Sequence, residues 1–90
     1  MTPEDRSPHP LVHLDEGSRA VVAEIVLPMD SADQQRVLRL MELGFVPGEL
    51  VRVLRGSVGA GGPLAVRVGQ STFALRPHEA SLILVLPEPS

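Results

Sequence analysis

Apolar and polar positions along the chain follow two different periods. Residues 19–27 form a run rich in β-branched side chains that Pro28 ends, and residues 49–55 and 64–68 alternate apolar with polar positions. Residues 71–75 follow the turn signal Gly69-Gln70 as the next strand of a hairpin, and residues 82–86 are a short apolar run. Period-two alternation and short β-branched runs are typical of half-buried strands. The pattern therefore predicts five or six short strands.

Between the first two long strands the period changes to 3.6 residues, which predicts a helix over residues 32–43. Ser31 with Gln34 matches a capping box at its start, and Gly44 is placed to end it in a left-handed conformation. A single helical turn is expected at residues 76–80, where Pro77 suits the first helical position. The apolar helix positions are Val37, Leu38, Leu40 and Met41.

Short strands joined by tight turns favour a small closed or nearly closed barrel, because closure removes exposed sheet edges. The expected fold class is mainly β, with five or six short antiparallel strands and one inserted α-helix. Residues 1–10 contain three prolines and no apolar periodicity, so we expect an N-terminal tail, a domain at 11–86 and a second tail at 87–90. Residues 56–62 are expected to form a glycine-rich loop.

The composition restricts which side chains can form the core and which classes of partner the chain can bind. In 90 residues, 43% are hydrophobic, but only two are Phe and none is Trp or Tyr, so the core must be aliphatic. A formal charge of −3 and the lack of aromatic stacking platforms argue against a nucleic-acid partner. No apolar stretch approaches the ~20 residues of a membrane span. The start lacks the basic and apolar regions of a secretory signal, so we expect a cytoplasmic protein without membrane insertion.

Candidate chemistry is sparse. The absence of Cys excludes a disulfide, a thiolate metal site and a cysteine nucleophile. No nucleophile motif or carboxylate pair is recognisable, and residues 59–62 lack the Lys and Ser/Thr of a phosphate-binding loop, so we expect no catalysis. His9, His13 and His78 are badly spaced for a shared metal. We therefore expect no cofactor, and any binding of divalent transition metals would be weak.

The most specific segment joins the helix to the following strand: Leu43, Gly44, Phe45, Val46, Pro47 and Gly48. In physical terms it is a helix stop, a hydrophobic plug at Phe45, an extended step before Pro47 and a turn at Gly48. With residues 51–54 it resembles the FeoA family of ferrous iron transport proteins. Further matching positions, from about 11 to 86, are Leu11, Leu14, Gly17, Gly62, Pro63, Leu64, Ala74, Leu75, Arg76, Glu79, Ala80, Ile83 and Val85.

The resemblance implies an SH3-like barrel that acts beside FeoB, a ferrous iron transporter with a cytoplasmic GTPase domain. FeoA-like sequences often carry a basic cluster at the helix, whereas here Asp33, Gln34 and Gln35 precede two arginines. Affinity is expected mainly from apolar anchors, since exposed ion pairs contribute only about 0 to 1 kcal/mol. The predicted partner-binding residues are Arg36, Leu38, Arg39, Met41, Val46 and Leu50.

Two alternatives remain open beside a small adaptor or regulator of iron uptake. One is a free-standing metal-responsive module, similar to the C-terminal SH3-like part of iron-dependent repressors. The other is a structural homo-oligomer in which an exposed sheet edge, near residues 64–68 or the last strand, pairs with a second copy. Activation, stabilisation and scaffolding of the transporter are all compatible with these residues.

Overall fold

The computed structural model describes residues 7–56 and 62–88, and these residues form a single sheet with two helices. A 3₁₀ turn, Leu11–His13, follows the first strand. The elements are β1 (His9–Pro10), β2 (Arg19–Ile25), α1 (Ser31–Leu43), β3 (Leu50–Arg55), β4 (Leu64–Val68), β5 (Ser71–Leu75), α2 (Pro77–Ser81) and β6 (Ile83–Pro87).

The sheet has six strands in the order β1-β6-β2-β3-β4-β5, and every neighbouring pair is antiparallel. The predicted mainly β architecture with one inserted α-helix of several turns is confirmed. The sheet is not closed, however, because no pairing joins β1 to β5 within the described part of the chain. Of the closed or nearly closed barrel that was predicted, full closure is therefore absent from the hydrogen bonding of the described residues.

The paired backbone extends beyond the predicted bounds at both ends. His9 pairs with Val85 and Pro10 with Leu84, so residues expected in the N-terminal tail form strand β1. Pro87, expected in the C-terminal tail, pairs with Ala20 as the last residue of β6. Most of the predicted glycine loop at 56–62 lies outside the described residues.

Helix α1 begins one residue earlier than its sequence pattern indicates. Asp30, not Ser31, is the N-cap, and its Oδ2 accepts a hydrogen bond from the Asp33 backbone N–H at 3.3 Å. The Gln34 side chain does not close a capping box; its Nε2 donates to the Pro28 carbonyl at 3.1 Å. Asp and Ser are almost equally good N-caps, so the sequence alone could not choose between neighbours.

The core lies between the inner face of the sheet, the 3₁₀ turn and the two helices. Among the described residues, every buried side chain is apolar. Alternate residues of β3 and β4 point inward, as the period-two pattern predicts. Phe45 is fully buried and meets the half-buried Phe73 with ring centroids 6.2 Å apart. The other buried residues are Leu11, Ala20, Val22, Val37, Leu40, Val51, Val53, Leu64, Val66, Val68, Leu75, Ala80, Leu82, Ile83 and Val85.

The free edges of the sheet are not the expected ones. Strands β4 and β6, predicted as candidate edges for pairing with a second copy, each have neighbours on both sides. The edge strands are β1, which has only two residues, and β5. The order of the strands along the chain does not indicate which strands are the edges, because β6 lies between β1 and β2 through long-range pairing.

Candidate partner-binding surface

The Leu-Gly-Phe step after α1 is a Schellman helix end. Gly44 has φ +114°, and its N–H donates to the Met41 carbonyl at 3.1 Å. The Phe45 N–H reaches back to the Leu40 carbonyl at 3.0 Å, and both of these side chains are buried. In this motif the residue after the glycine makes the hydrophobic contact that accompanies the backbone bonds. The left-handed helix end predicted at Gly44 is confirmed.

The next residues attach this helix end to the sheet. The Val46 N–H donates to the Gly44 carbonyl at 2.9 Å, and the Gly48 N–H donates to the Val22 carbonyl of β2 at 2.8 Å. The Glu49 N–H bonds the Val46 carbonyl at 3.1 Å, which closes the turn before β3. Backbone bonds within the motif therefore fix how α1 leads into β3.

Helix α1 presents two different flanks beside its buried ridge. Val37 and Leu40 are buried, whereas Leu38 is 54% exposed and Met41 43% exposed. At about 100° per residue, Leu38 and Met41 lie one turn apart on the same side. We call these two residues the apolar flank. Part of the apolar pattern that predicted the helix thus faces outward.

Arg36 and Arg39 lie on the other side of the buried ridge by the same helical geometry. Arg36 is already engaged within the chain, because its Nη1 lies 2.7 Å from Asp33 Oδ1. The same carboxylate oxygen lies 2.9 Å from His78 Nε2 of α2. The predicted arginines and the apolar flank therefore do not form one patch.

Asp33 joins the two helices electrostatically. An ionised carboxylate only accepts hydrogen bonds, so His78 Nε2–H donates to Oδ1. This bond, followed by the contribution of Arg36 and opposed by partial burial, lowers the pKa of Asp33 below its ordinary value of 3.8. Of these three side chains, Asp33 and His78 have atoms that could bind a metal, whereas Arg36 stays protonated.

The two remaining predicted residues belong to the motif and to the sheet. Val46 is half-buried, and Leu50, the first residue of β3, is 50% exposed on the outer face. Leu50 lines a shallow groove whose other side chains are largely arginines of β2, β3 and β4. The six predicted residues thus fall on an apolar helix flank, an arginine flank, the motif and the outer sheet face.

Sequence reasoning missed two exposed apolar residues between β2 and α1. Leu27 is 86% exposed and Met29 is 98% exposed. The bond from Gln34 to the Pro28 carbonyl holds this loop against the first turn of α1, and Gln34 precedes Leu38 by one helical turn. Leu27 continues the apolar run of residues 19–26, so the sequence pattern places it in the strand and does not indicate its exposure.

The described residues offer few metal donors close together. Within residues 7–56 and 62–88, no group of three or more His, Asp, Glu or Cys side chains is arranged to hold a metal ion. His9 lies in β1, His13 in the 3₁₀ turn and His78 in α2. In the same residues no helix is long and apolar enough to cross a bilayer.

The architecture is that of a small SH3-like domain. A solved FeoA from Stenotrophomonas maltophilia, complexed with zinc, is described as an SH3 domain protein. That structure has a TM-score of 0.70 and 43% identity to this chain, and the match covers 83% of this chain and 86% of that one. The chain belongs to the FeoA family, since the FeoA domain model matches residues 9–87. The resemblance drawn from the motif is confirmed.

Two other solved structures extend the comparison. A FeoA protein from Chlorobium tepidum is 32% identical, with TM-score 0.68 over 87% of this chain and 69% of that one. A manganese-dependent transcriptional repressor is 25% identical, with TM-score 0.75 over 98% of this chain. The chain spans only 44% of that repressor. A search of curated proteins finds no match.

Proposed function

We propose that this chain is a cytoplasmic regulator of ferrous iron uptake that binds the GTPase-bearing cytoplasmic part of a FeoB-type transporter. The observation that carries the proposal is the FeoA domain match over residues 9–87, which spans all six strands and both helices. The 43% identity to the Stenotrophomonas FeoA adds support, because that protein has been put forward as a ferrous iron transport activating factor.

The apolar flank of α1 is the proposed anchor for this partner. Full burial of a Leu or Met side chain contributes roughly 1.5 to 3 kcal/mol, whereas an exposed ion pair contributes about 0 to 1 kcal/mol. Leu38 and Met41 are exposed beside each other and do not support the core. Leu27 and Met29, on the loop held to the first turn of α1, are candidates to enlarge this contact.

The test is a pull-down of the cognate transporter's soluble cytoplasmic domain, together with co-purification of the full transporter. A Leu38→Gln/Met41→Gln variant should retain the wild-type fold but lose at least about tenfold in affinity, which corresponds to about 1.4 kcal/mol. Leu54→Gln is the matched control, because Leu54 is 40% exposed on β3 and outside the proposed contact. Failure of the wild-type chain to bind in both formats would refute the proposal.

A metal-responsive module is the second candidate function. It is favoured by the likeness to the manganese-dependent repressor and by zinc in the Stenotrophomonas structure. Titration with ferrous or manganous ion, followed through the histidine NMR signals, separates the two functions. Saturable shifts of His78, which contacts Asp33 across the helices, would favour sensing.

A further inference from the structure

Three arginines from three neighbouring strands lie side by side on the outer face of the sheet. Arg19 of β2 pairs in register with Arg52 of β3, and Arg52 pairs in register with Arg67 of β4. All three are exposed, and directly paired residues of antiparallel strands point to the same face. With strands about 4.8 Å apart, this arginine row spans roughly 10 Å.

Like charges directly opposite each other destabilise a sheet, so the row opposes folding unless anions compensate it. In the described part of the chain, a carboxylate lies near one end of the row and a neutral backbone carbonyl near the other. Arg19 Nη1 lies 3.9 Å from a Glu88 carboxylate oxygen, and Arg67 Nε lies 3.5 Å from the Gly69 carbonyl. Within residues 7–56 and 62–88, the Arg52 guanidinium has no ion pair or hydrogen bond.

The arginine row lines one shallow groove of about 170 Å³. The exposed side chain of Leu50 lies in the same groove, two residues along β3 from Arg52 and on the same face of the sheet. Glu88 closes one end, and its backbone N–H also donates to the Arg19 carbonyl at 3.3 Å. The acidic residue Glu88 therefore already occupies the Arg19 end, while Arg52 and Arg67 line the rest of the groove.

We propose that the arginine row binds an acidic segment of a partner protein, whose carboxylates pair with Arg52 and Arg67 beside an apolar contact to Leu50. Guanidinium groups suit carboxylates because they offer several donors in a fixed plane. The net charge of −3 opposes extended polyanionic surfaces such as nucleic acid or an anionic membrane, whereas a short acidic segment needs only this local row. The site is independent of the apolar flank and of the transporter's identity.

The test uses the isotope-labelled full chain and a short oligoglutamate peptide, followed by the arginine Nε–H NMR signals. Saturable shifts of Arg52 and Arg67 that weaken with added salt are expected. Arg52→Gln/Arg67→Gln should lower the affinity at least about tenfold. Arg36→Gln/Arg39→Gln removes the same charge from α1 and should leave the peptide affinity unchanged.

A second measurement separates a binding row from solvated surface charge. Because Arg52 is flanked by like charges, Arg52→Thr should raise the midpoint of thermal unfolding while it weakens peptide binding. Equal loss of affinity in the sheet and helix variants would overturn the proposal, as would tighter binding of inorganic phosphate or phosphatidylglycerol vesicles. Because the probe is a peptide, these outcomes do not depend on whether the transporter binds.

Discussion

The helix end at Gly44 allows backbone strain to be separated from steric collision. A Cβ added at Gly44 would meet Val68 Cγ2 at 3.6 Å and Cγ1 at 3.8 Å, which are ordinary van der Waals distances. The position has room for a methyl group, but its φ of +114° is one that side chains with a Cβ rarely adopt. Gly44→Ala therefore tests the cost of this backbone conformation almost alone.

The expected change in the free energy of unfolding of Gly44→Ala follows from two opposing effects. A non-glycine residue held in a sparsely populated region of positive φ costs about 1 to 3 kcal/mol. Replacing Gly by Ala also restricts the unfolded chain, which offsets roughly 0.4 to 1 kcal/mol. The net loss should be about 1 to 2 kcal/mol, a sizeable part of the roughly 4 to 12 kcal/mol expected for a domain of this length. The unfolding temperature should fall by roughly 5 to 15 °C.

Urea unfolding followed by far-UV circular dichroism is the appropriate assay, because the chain has no Trp or Tyr for fluorescence. Gly56→Ala is the matched control: Gly56 does not have a positive φ, and its nearest contact would be 3.9 Å away. The control should be neutral or stabilised by up to about 1 kcal/mol. Wild-type stability in Gly44→Ala, or an equal loss in Gly56→Ala, would refute the strain argument.

Two further predictions concern the core and the Asp33 contacts. Phe45→Ala should lower the free energy of unfolding by about 3 to 5 kcal/mol, because Phe45 is fully buried against Phe73. A decrease below about 1 kcal/mol in urea unfolding would contradict this packing. Because the pKa of Asp33 is lowered from 3.8, its ionised form stabilises the fold above that pH, and this contribution is lost as the pH falls through the folded-state pKa. The urea midpoints of wild type and Asp33→Asn should therefore differ at neutral pH and converge in acid; a constant difference would exclude the proposed role of the His78 hydrogen bond.

Much of this fold could be predicted from local sequence patterns. Strand β4 has the bounds that its alternation predicts, β5 has the bounds predicted from the turn before it, and α1 ends where Gly44 indicates. Turn chemistry, strand periodicity and a glycine after a helix all act over a few residues, so one sequence is enough to identify them. The motif at 43–48 was interpretable for the same reason, because its hydrogen bonds join residues close in sequence or the neighbouring strand β2.

Features that depend on long-range register were not predictable. Pairing of His9–Pro10 with β6 requires knowledge of where residues 84 and 85 lie. The arginine row likewise depends on the registers of β2 with β3 and of β3 with β4. Spacing alone does not place Arg19 beside Arg52 and Arg67, since neighbouring members of the row are 15 or more residues apart in sequence. The exposure of Leu38 and Met41 was equally unpredictable, because both belong to the apolar pattern that predicts the helix.

The motif that identifies the family and the surfaces proposed to bind partners therefore respond to different substitutions. Gly44 and Phe45 are held by helix-end hydrogen bonds and by burial, so changing them should reduce folding stability first and binding only as a consequence. Leu38, Met41 and Arg52 contribute little to the core, and Arg52 faces like charges across the sheet. Substituting these exposed residues should weaken binding while stability is unchanged or, at Arg52, increased. An exposed residue that opposes folding is a sharper indication of function than a buried one, because packing gives no reason for it.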